Sequence, residues 1–293
     1  MGSSQDGIDR IDGTDWKDEY SMLTKADMTA TILANAEVAP EHYLMKLAVS
    51  GAFRDAQPGQ FVMLRPVGRG FPFLGRPLGI YSLAENGSGA RIEILYRAAG
   101  RGTKVISTLC EGDRIEILGP LGNRFELKPG MKTAVLVAGG IGIAPLVFLA
   151  ERLSAKATPE GPKMILYIGA RDSANLLGID RMKSFGAEVR VSTDDGSAGY
   201  EGPVTDLFRE DLLSFNASKT EVFVCGPNPM LKRMGAIIAD HPIRCQVLME
   251  ERMACGMGAC LGCTIEVRTP TGVEYRQVCT DGPVFDLREI IWR

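Results

Sequence analysis

Four cysteines within 25 residues, Cys255, Cys260, Cys263 and Cys279, are spaced Cys-x4-Cys-x2-Cys-x15-Cys. No other feature constrains the chain as strongly, because four converging thiols force the backbone to curl. Gly256, Gly258 and Gly262 supply the freedom that such a curl requires. An x4-x2 spacing with a distant fourth cysteine is the plant-type ligand pattern of a [2Fe-2S] cluster. A four-cysteine zinc site is the competing reading, although zinc cysteines usually come as two short knuckles and these do not. The pattern predicts Cys255, Cys260, Cys263 and Cys279 as metal ligands in a small module over residues 250–293.

The rest of the composition narrows the function by exclusion. With 293 residues, 45% of them apolar, the chain has enough material for two or three domains. Thirty-three basic against 36 acidic residues, with no long run of one sign, make nucleic acid and membrane surfaces poor partners. Two histidines leave little room for histidine-based catalysis. An odd count of seven cysteines does not read as a secreted disulfide framework, so a cytoplasmic location is expected. Of the cysteines outside the cluster, Cys110 and Cys245 are expected to be buried as small apolar residues. The uncharged run over residues 133–150 has the length of a membrane helix, but Gly139, Gly140, Gly142 and Pro145 interrupt it. It reads instead as a strand, a glycine turn and the start of a helix.

Residues 1–27 are polar, acidic and without periodicity, and are expected to be a flexible extension. Over residues 28–128, short strands alternate with turns, which predicts an antiparallel β-barrel. At Lys128-Pro129-Gly130 the texture changes. Over residues 129–249, strand-like runs at 133–138, 164–168, 187–191, 221–224 and 246–249 alternate with helical stretches at 144–154, 174–185, 204–213 and 229–239. That alternation is the pattern of a doubly wound parallel sheet. The predicted fold class is thus a β-barrel plus an α/β domain, with the cysteine module at the C-terminus.

Two turns in the α/β region carry the chemistry. In Gly139-Gly140-Ile141-Gly142-Ile143-Ala144-Pro145, glycines let a pyrophosphate approach the backbone and a helix N-terminus provides free N–H donors. Some eighty residues later, Val224-Cys225-Gly226-Pro227 ends a second strand. Ligands of parallel sheets bind beyond the carboxyl ends of strands, so both turns are expected to face one crevice and hold a nucleotide. In the barrel, Arg76 offers a forked guanidinium to a diphosphate, and Thr103 is read as opening a short helix to Leu109.

Taken in order, Arg76-Pro77-Leu78, then Leu95-Tyr96-Arg97 with Gly100, Gly102 and Thr103, then the glycine turn, Thr193-Asp194-Asp195-Gly196-Ser197 and Cys225-Gly226-Pro227 resemble the ferredoxin reductase superfamily. The cysteine segment and the closing Val278-Cys279-Thr280-Asp281-Gly282-Pro283 narrow the resemblance to electron-transfer subunits of type-B dihydroorotate dehydrogenases. The resemblance implies FAD held by Arg76, Pro77, Leu78, Gly79, Leu95, Tyr96, Arg97, Gly102 and Thr103. It implies NAD shaped by Gly140, Gly142 and Pro145, with Cys225 and Gly226 near the nicotinamide, and a [2Fe-2S] cluster on the four cysteines. An FMN-containing catalytic subunit is the implied partner, in a heterotetramer of two plus two that oxidises dihydroorotate to orotate in pyrimidine biosynthesis. Gly79 departs from the family's usual serine, which removes a hydroxyl from beside the flavin. A reductase subunit serving another partner, such as a ferredoxin or a sulfur-metabolising enzyme, and a zinc-stabilised scaffold are the alternatives.

Overall fold

The computed structural model describes residues 28–68, 72–87, 89–155 and 161–292, so the extension over residues 1–27 lies outside the described residues. The first sheet comprises β1 (Thr29–Ala39), β2 (His42–Val49), β3 (Phe61–Pro66), β4 (Arg76–Gly79), β5 (Ser82–Asn86), β6 (Gly89–Arg97) and β7 (Arg114–Leu121), with the short helix α1 (Arg101–Ile106). All neighbours are antiparallel, in the order β4-β3-β7-β1-β2-β6-β5. The edges β4 and β5 do not pair, and the sheet curls as an open barrel. Near that seam the Ile80 amide donates to Gln60 O and the Tyr81 amide to Glu93 O.

Period-two alternation explains what the sheet buries. In β6, Ile92, Ile94 and Tyr96 point into the barrel core with Met45, Leu47, Val62, Leu64 and Ile115. Leu95, on the opposite face, is equally buried, but against the second domain. The barrel's outer face is therefore an interface.

The second sheet orders β11-β10-β9-β8-β12-β13-β16. Its strands are β8 (Thr133–Gly139), β9 (Lys163–Ala170), β10 (Glu188–Thr193), β11 (Tyr200–Glu201), β12 (Thr220–Cys225) and β13 (Arg244–Leu248), all parallel, plus β16 (Val284–Asp286), antiparallel to β13. Helices α2 (Ile143–Ala155), α3 (Ile179–Ser184), α4 (Val204–Asp211) and α5 (Asn228–Ile238) connect them. Unbroken apolar runs such as 134–138 are buried throughout, as a sheet covered on both faces requires. The strand order reverses between β8 and β12, which places the ligand crevice of the doubly wound fold there. The hairpin β14 (Thr264–Thr269) and β15 (Gly272–Gln277) forms a third, small sheet.

Three sequence expectations change. The helix expected over 174–185 is a 3-10 turn at Ser173–Asn175 followed by α3, because Gly178 adopts φ 71° between them. Helix α1 starts at Arg101 on a Gly100 cap, and Thr103 is its third residue, returning its hydroxyl to the Gly100 amide and carbonyl. Cys110 is exposed, not buried: it begins the turn into β7, where its amide donates to Asp113 Oδ2. Cys245 is buried in β13 as expected, where burial pushes its thiol far up.

The C-terminal module is not self-contained. Strand β16 completes the parallel domain's sheet, and Cys263, Val267, Val278, Cys279, Leu287 and Ile290 share one core with Val222, Val247, α4 and α5.

Candidate functional site: one crevice and a thiol loop

The two small-residue turns meet. A Cβ added to Gly142 would lie 2.3 Å from the Cys225 carbonyl oxygen, so the loops touch only because position 142 is glycine. Gly140 at φ 53° has open space where a side chain would stand. Gly139, Gly140, Gly142, Gly226 and Pro227 line a 770 Å³ crevice at the carboxyl ends of β8, β9 and β12. Pro145 is buried in the first turn of α2, its ring 3.9 Å from where a Gly79 Cβ would sit. The barrel edge and the glycine turn therefore adjoin.

Cys225 ends β12 fully buried, and desolvation, reinforced by the charge of Glu250, keeps its thiol well above the ordinary value. Its buried thiol is held in the neutral form. Glu250 stands just past β13, walled by protein yet open to the crevice mouth, and burial raises its carboxyl. On the barrel side, Glu41, His42 and Arg97 line the same crevice, with Arg97 Nη2 2.9 Å from Glu41 Oε2. The Arg97 bond and charge hold the Glu41 carboxyl low. Glu41, Thr205 and Glu250 also line the crevice and were not singled out from the sequence, and only Glu250, which follows the end of a parallel strand, carries a legible signal, its position.

Of the barrel residues, Arg76 and Gly102 come together: a Cβ on Gly102 would lie 2.2 Å from Arg76 Nε. Arg76 Nη1 donates to the Leu74 and Gly75 carbonyls, which holds the guanidinium against Gly102 in the first turn of α1. A fixed cation over a side-chain-free backbone fits a diphosphate. Pro77, Leu78 and Gly79 lie half-buried along β4. Tyr96 does not reach this site. Its ring is in the barrel core, stacked on Tyr43, with its hydroxyl donating to Asn35 Oδ1 at 3.0 Å. Leu95 packs toward the α2 side, so of this triplet only the Arg97 side chain reaches the crevice.

Cys255, Cys260, Cys263 and Cys279 lie on one glycine-rich segment, where Cys260 influences the Cys255 thiol, and Cys263 and Cys255 the Cys279 thiol. Among the described residues no three potential ligands converge on a single ion position. The Met257 amide donates to Cys255 Sγ at 3.5 Å and the Gly258 amide to Cys279 Sγ at 3.2 Å. The Met257 bond is the main reason the Cys255 thiol is lowered to about 7, whereas burial raises Cys279 to about 11. Gly256 sits on the barrel, where a Cβ would lie 2.7 Å from Met63 Cγ in β3.

Comparison with known proteins completes the picture. Residues 250–291 match the model described as the iron-sulfur cluster binding domain of dihydroorotate dehydrogenase B, and residues 136–235 match an oxidoreductase NAD-binding domain. The dihydroorotate dehydrogenase B (NAD(+)) electron transfer subunit of Caldanaerobacter subterraneus subsp. tengcongensis is 38% identical, covering 90% of this chain and 98% of its own. The chain belongs to the family of dihydroorotate dehydrogenase B electron transfer subunits. The Desulforamulus reducens member is 37% identical, over 90% of this chain and 97% of its own. Among solved structures, a NADH-dependent reduced ferredoxin-NADP oxidoreductase superposes with a TM-score of 0.75 at 27% identity, over 90% of each chain. The cytochrome b5 reductase domain of Ulva prolifera nitrate reductase, at 14% identity and a TM-score of 0.60 over 75% of this chain and 95% of its own, shares the fold. The chain is thus an oxidoreductase subunit that works with FAD, a [2Fe-2S] cluster and NAD, transferring electrons for a catalytic partner subunit. The zinc-scaffold alternative is set aside.

Proposed function

We propose that this subunit carries electrons from an FMN-containing partner that oxidises dihydroorotate to orotate, in a cytoplasmic heterotetramer of two plus two. Residues 28–128 would hold FAD, residues 129–249 NAD and residues 250–293 the cluster. The observation that carries the reading is that the barrel touches both other sites: β4 meets the glycine turn through Gly79 and Pro145, and β3 meets the cysteine loop through Met63 and Gly256.

A flavin bound between them would convert the two-electron chemistry of nicotinamide into the single-electron steps of iron-sulfur. The chain's own residues bind and orient. Arg76, Gly102 and Thr103 would seat the FAD diphosphate, with Pro77, Leu78 and Gly79 along its edge, Leu95 and Tyr96 contributing backbone and packing, and Arg97 a side chain. Gly140, Gly142 and Pro145 would admit the NAD pyrophosphate. Cys225 and Gly226 would exclude water beside the nicotinamide.

On the cysteine loop Cys260 is exposed with Met257 and Leu261, whereas Cys263 and Cys279 are buried. This apolar, thiol-bearing rim suits a partner that must come within electron-transfer reach. Seven cysteines without a disulfide suit a reducing compartment. Among the described residues no helix is long and apolar enough to cross a membrane. An ultraviolet-visible spectrum of the anaerobically purified chain, with iron, sulfide and flavin assays, tests the reading. Flavin and iron-sulfur bands that bleach with NADH are expected, and dihydroorotate oxidation is expected only after the partner is added. Orotate formation by the isolated chain would defeat the assignment.

A further inference from the structure

The side of the crevice opposite the glycine turn is built by α4, and it holds a polar group that the fold leaves unused. Thr205, the second residue of α4, is 1% exposed and lines the crevice, and its hydroxyl has no hydrogen-bond partner. Such a buried hydroxyl costs stability unless something else pairs with it. The helix start is held firmly at this spot. Gly169, at the end of β9, lies so close that a Cβ there would be 2.7 Å from Val204 Cβ. The Gly202 amide donates to Thr193 O, and Arg233 of α5 grips Asp206 at 2.6 Å. The first N–H groups of α4 have no acceptor within the helix and carry its positive dipole end. Arg171 and Arg233 line the same crevice.

We infer that Thr205 and the first turn of α4 form a second phosphate seat, taking one oxygen of the dinucleotide pyrophosphate from the side opposite Gly140 and Gly142. This deepens the NAD reading and rests on it. Thr205 is a binding residue; it has no part in the chemistry.

The test compares the full FAD- and cluster-loaded chain with Thr205→Val, an isostere without the hydroxyl, and Thr205→Ser, which keeps it. Dissociation constants for NADH and ADP-ribose are measured by calorimetry, with melting temperatures with and without nucleotide. Thr205→Val should weaken NADH and ADP-ribose alike by about tenfold to a hundredfold, the range of one hydrogen bond to a charged oxygen. Without nucleotide its melting temperature should rise, because an unpaired buried hydroxyl has been removed. Thr205→Ser should bind as the wild type does. Unchanged affinities in Thr205→Val, or a lowered melting temperature without loss of affinity, would make Thr205 a packing residue and overturn the seat. A wild-type chain that binds neither NADH nor ADP-ribose would overturn the NAD reading and the seat with it.

Discussion

At the scale of single residues, Gly79 lacks the hydroxyl that the sequence resemblance leads one to expect beside the flavin, and the structure says why a hydroxyl would be tolerated. Its backbone is ordinary, and an added Cβ would meet only Pro145, at van der Waals distance. Gly79→Ser should therefore fold and bind FAD as the wild type does, while shifting the flavin potential, measured by redox titration of the flavin bands. Glu250 gives a pH dependence of definite sign. Its carboxyl is raised by burial, so the folded state binds its proton more tightly than the unfolded state. Stability from this group is present below the unfolded value and falls as pH rises through the folded one. Glu250→Gln should leave the melting temperature unchanged near pH 4 and raise it at neutral pH. Equal effects at both would show that the carboxyl is not desolvated. Neither the enclosure of the Glu250 carboxyl at the crevice mouth nor the burial of Thr205 could be read from sequence, since both depend on loops brought together from distant segments. The iron-sulfur domain was legible in the cysteine pattern because a cluster fixes residue type and spacing at once.

At the scale of elements, β8, β9, β12 and β13 were legible because each is a compact, largely apolar run buried along most of its length. The α3 region was misread as one helix because its composition is helical and only Gly178 breaks it. The role of β16 was hidden, since three residues that complete another domain's sheet carry no periodicity of their own. What fixes that strand is Asn123, just beyond β7. Its Nδ2 donates to the Asp281 and Val284 carbonyls at 2.8 Å each, and its Oδ1 accepts from the Val284 amide at 2.9 Å. One side chain thus clasps the cysteine module to the barrel. Asn123→Ala removes three hydrogen bonds, two of them part-buried, a loss of roughly 2–3 kcal/mol at about 1 kcal/mol each. It should lower the melting temperature and the iron content per flavin, with NADH affinity unchanged, as a chemical iron assay and nucleotide titration would read. Full iron occupancy would show that the module docks without the clasp.

At the scale of the whole molecule, the three regions recognisable in sequence share their cores. Phe148 of α2 packs within the barrel core, Leu95 of the barrel packs with α2, and Phe61 and Met63 join the core that contains Cys263 and Cys279. Electron transfer between fixed groups gains from this arrangement, because distances set by shared cores do not fluctuate as those across a linker do. The same sharing predicts how the chain fails when divided. A chain ending at Met249 would lose β16 from the sheet edge and uncover Val247 and Met249, which are buried in the intact molecule. An exposed apolar edge strand of that kind invites aggregation. The 28–249 fragment should therefore be less stable and less soluble than the full chain even though the residues proposed to hold FAD and NAD lie within it, and the 250–293 peptide should bind no cluster by itself. Co-expression of the two pieces should restore a soluble, iron-containing complex, because β16 can pair with β13 from a separate chain. Size-exclusion chromatography with iron analysis reads the outcome. A monomeric, soluble 28–249 fragment with the full chain's melting temperature would mean that the shared core contributes little and that the module is an appendage.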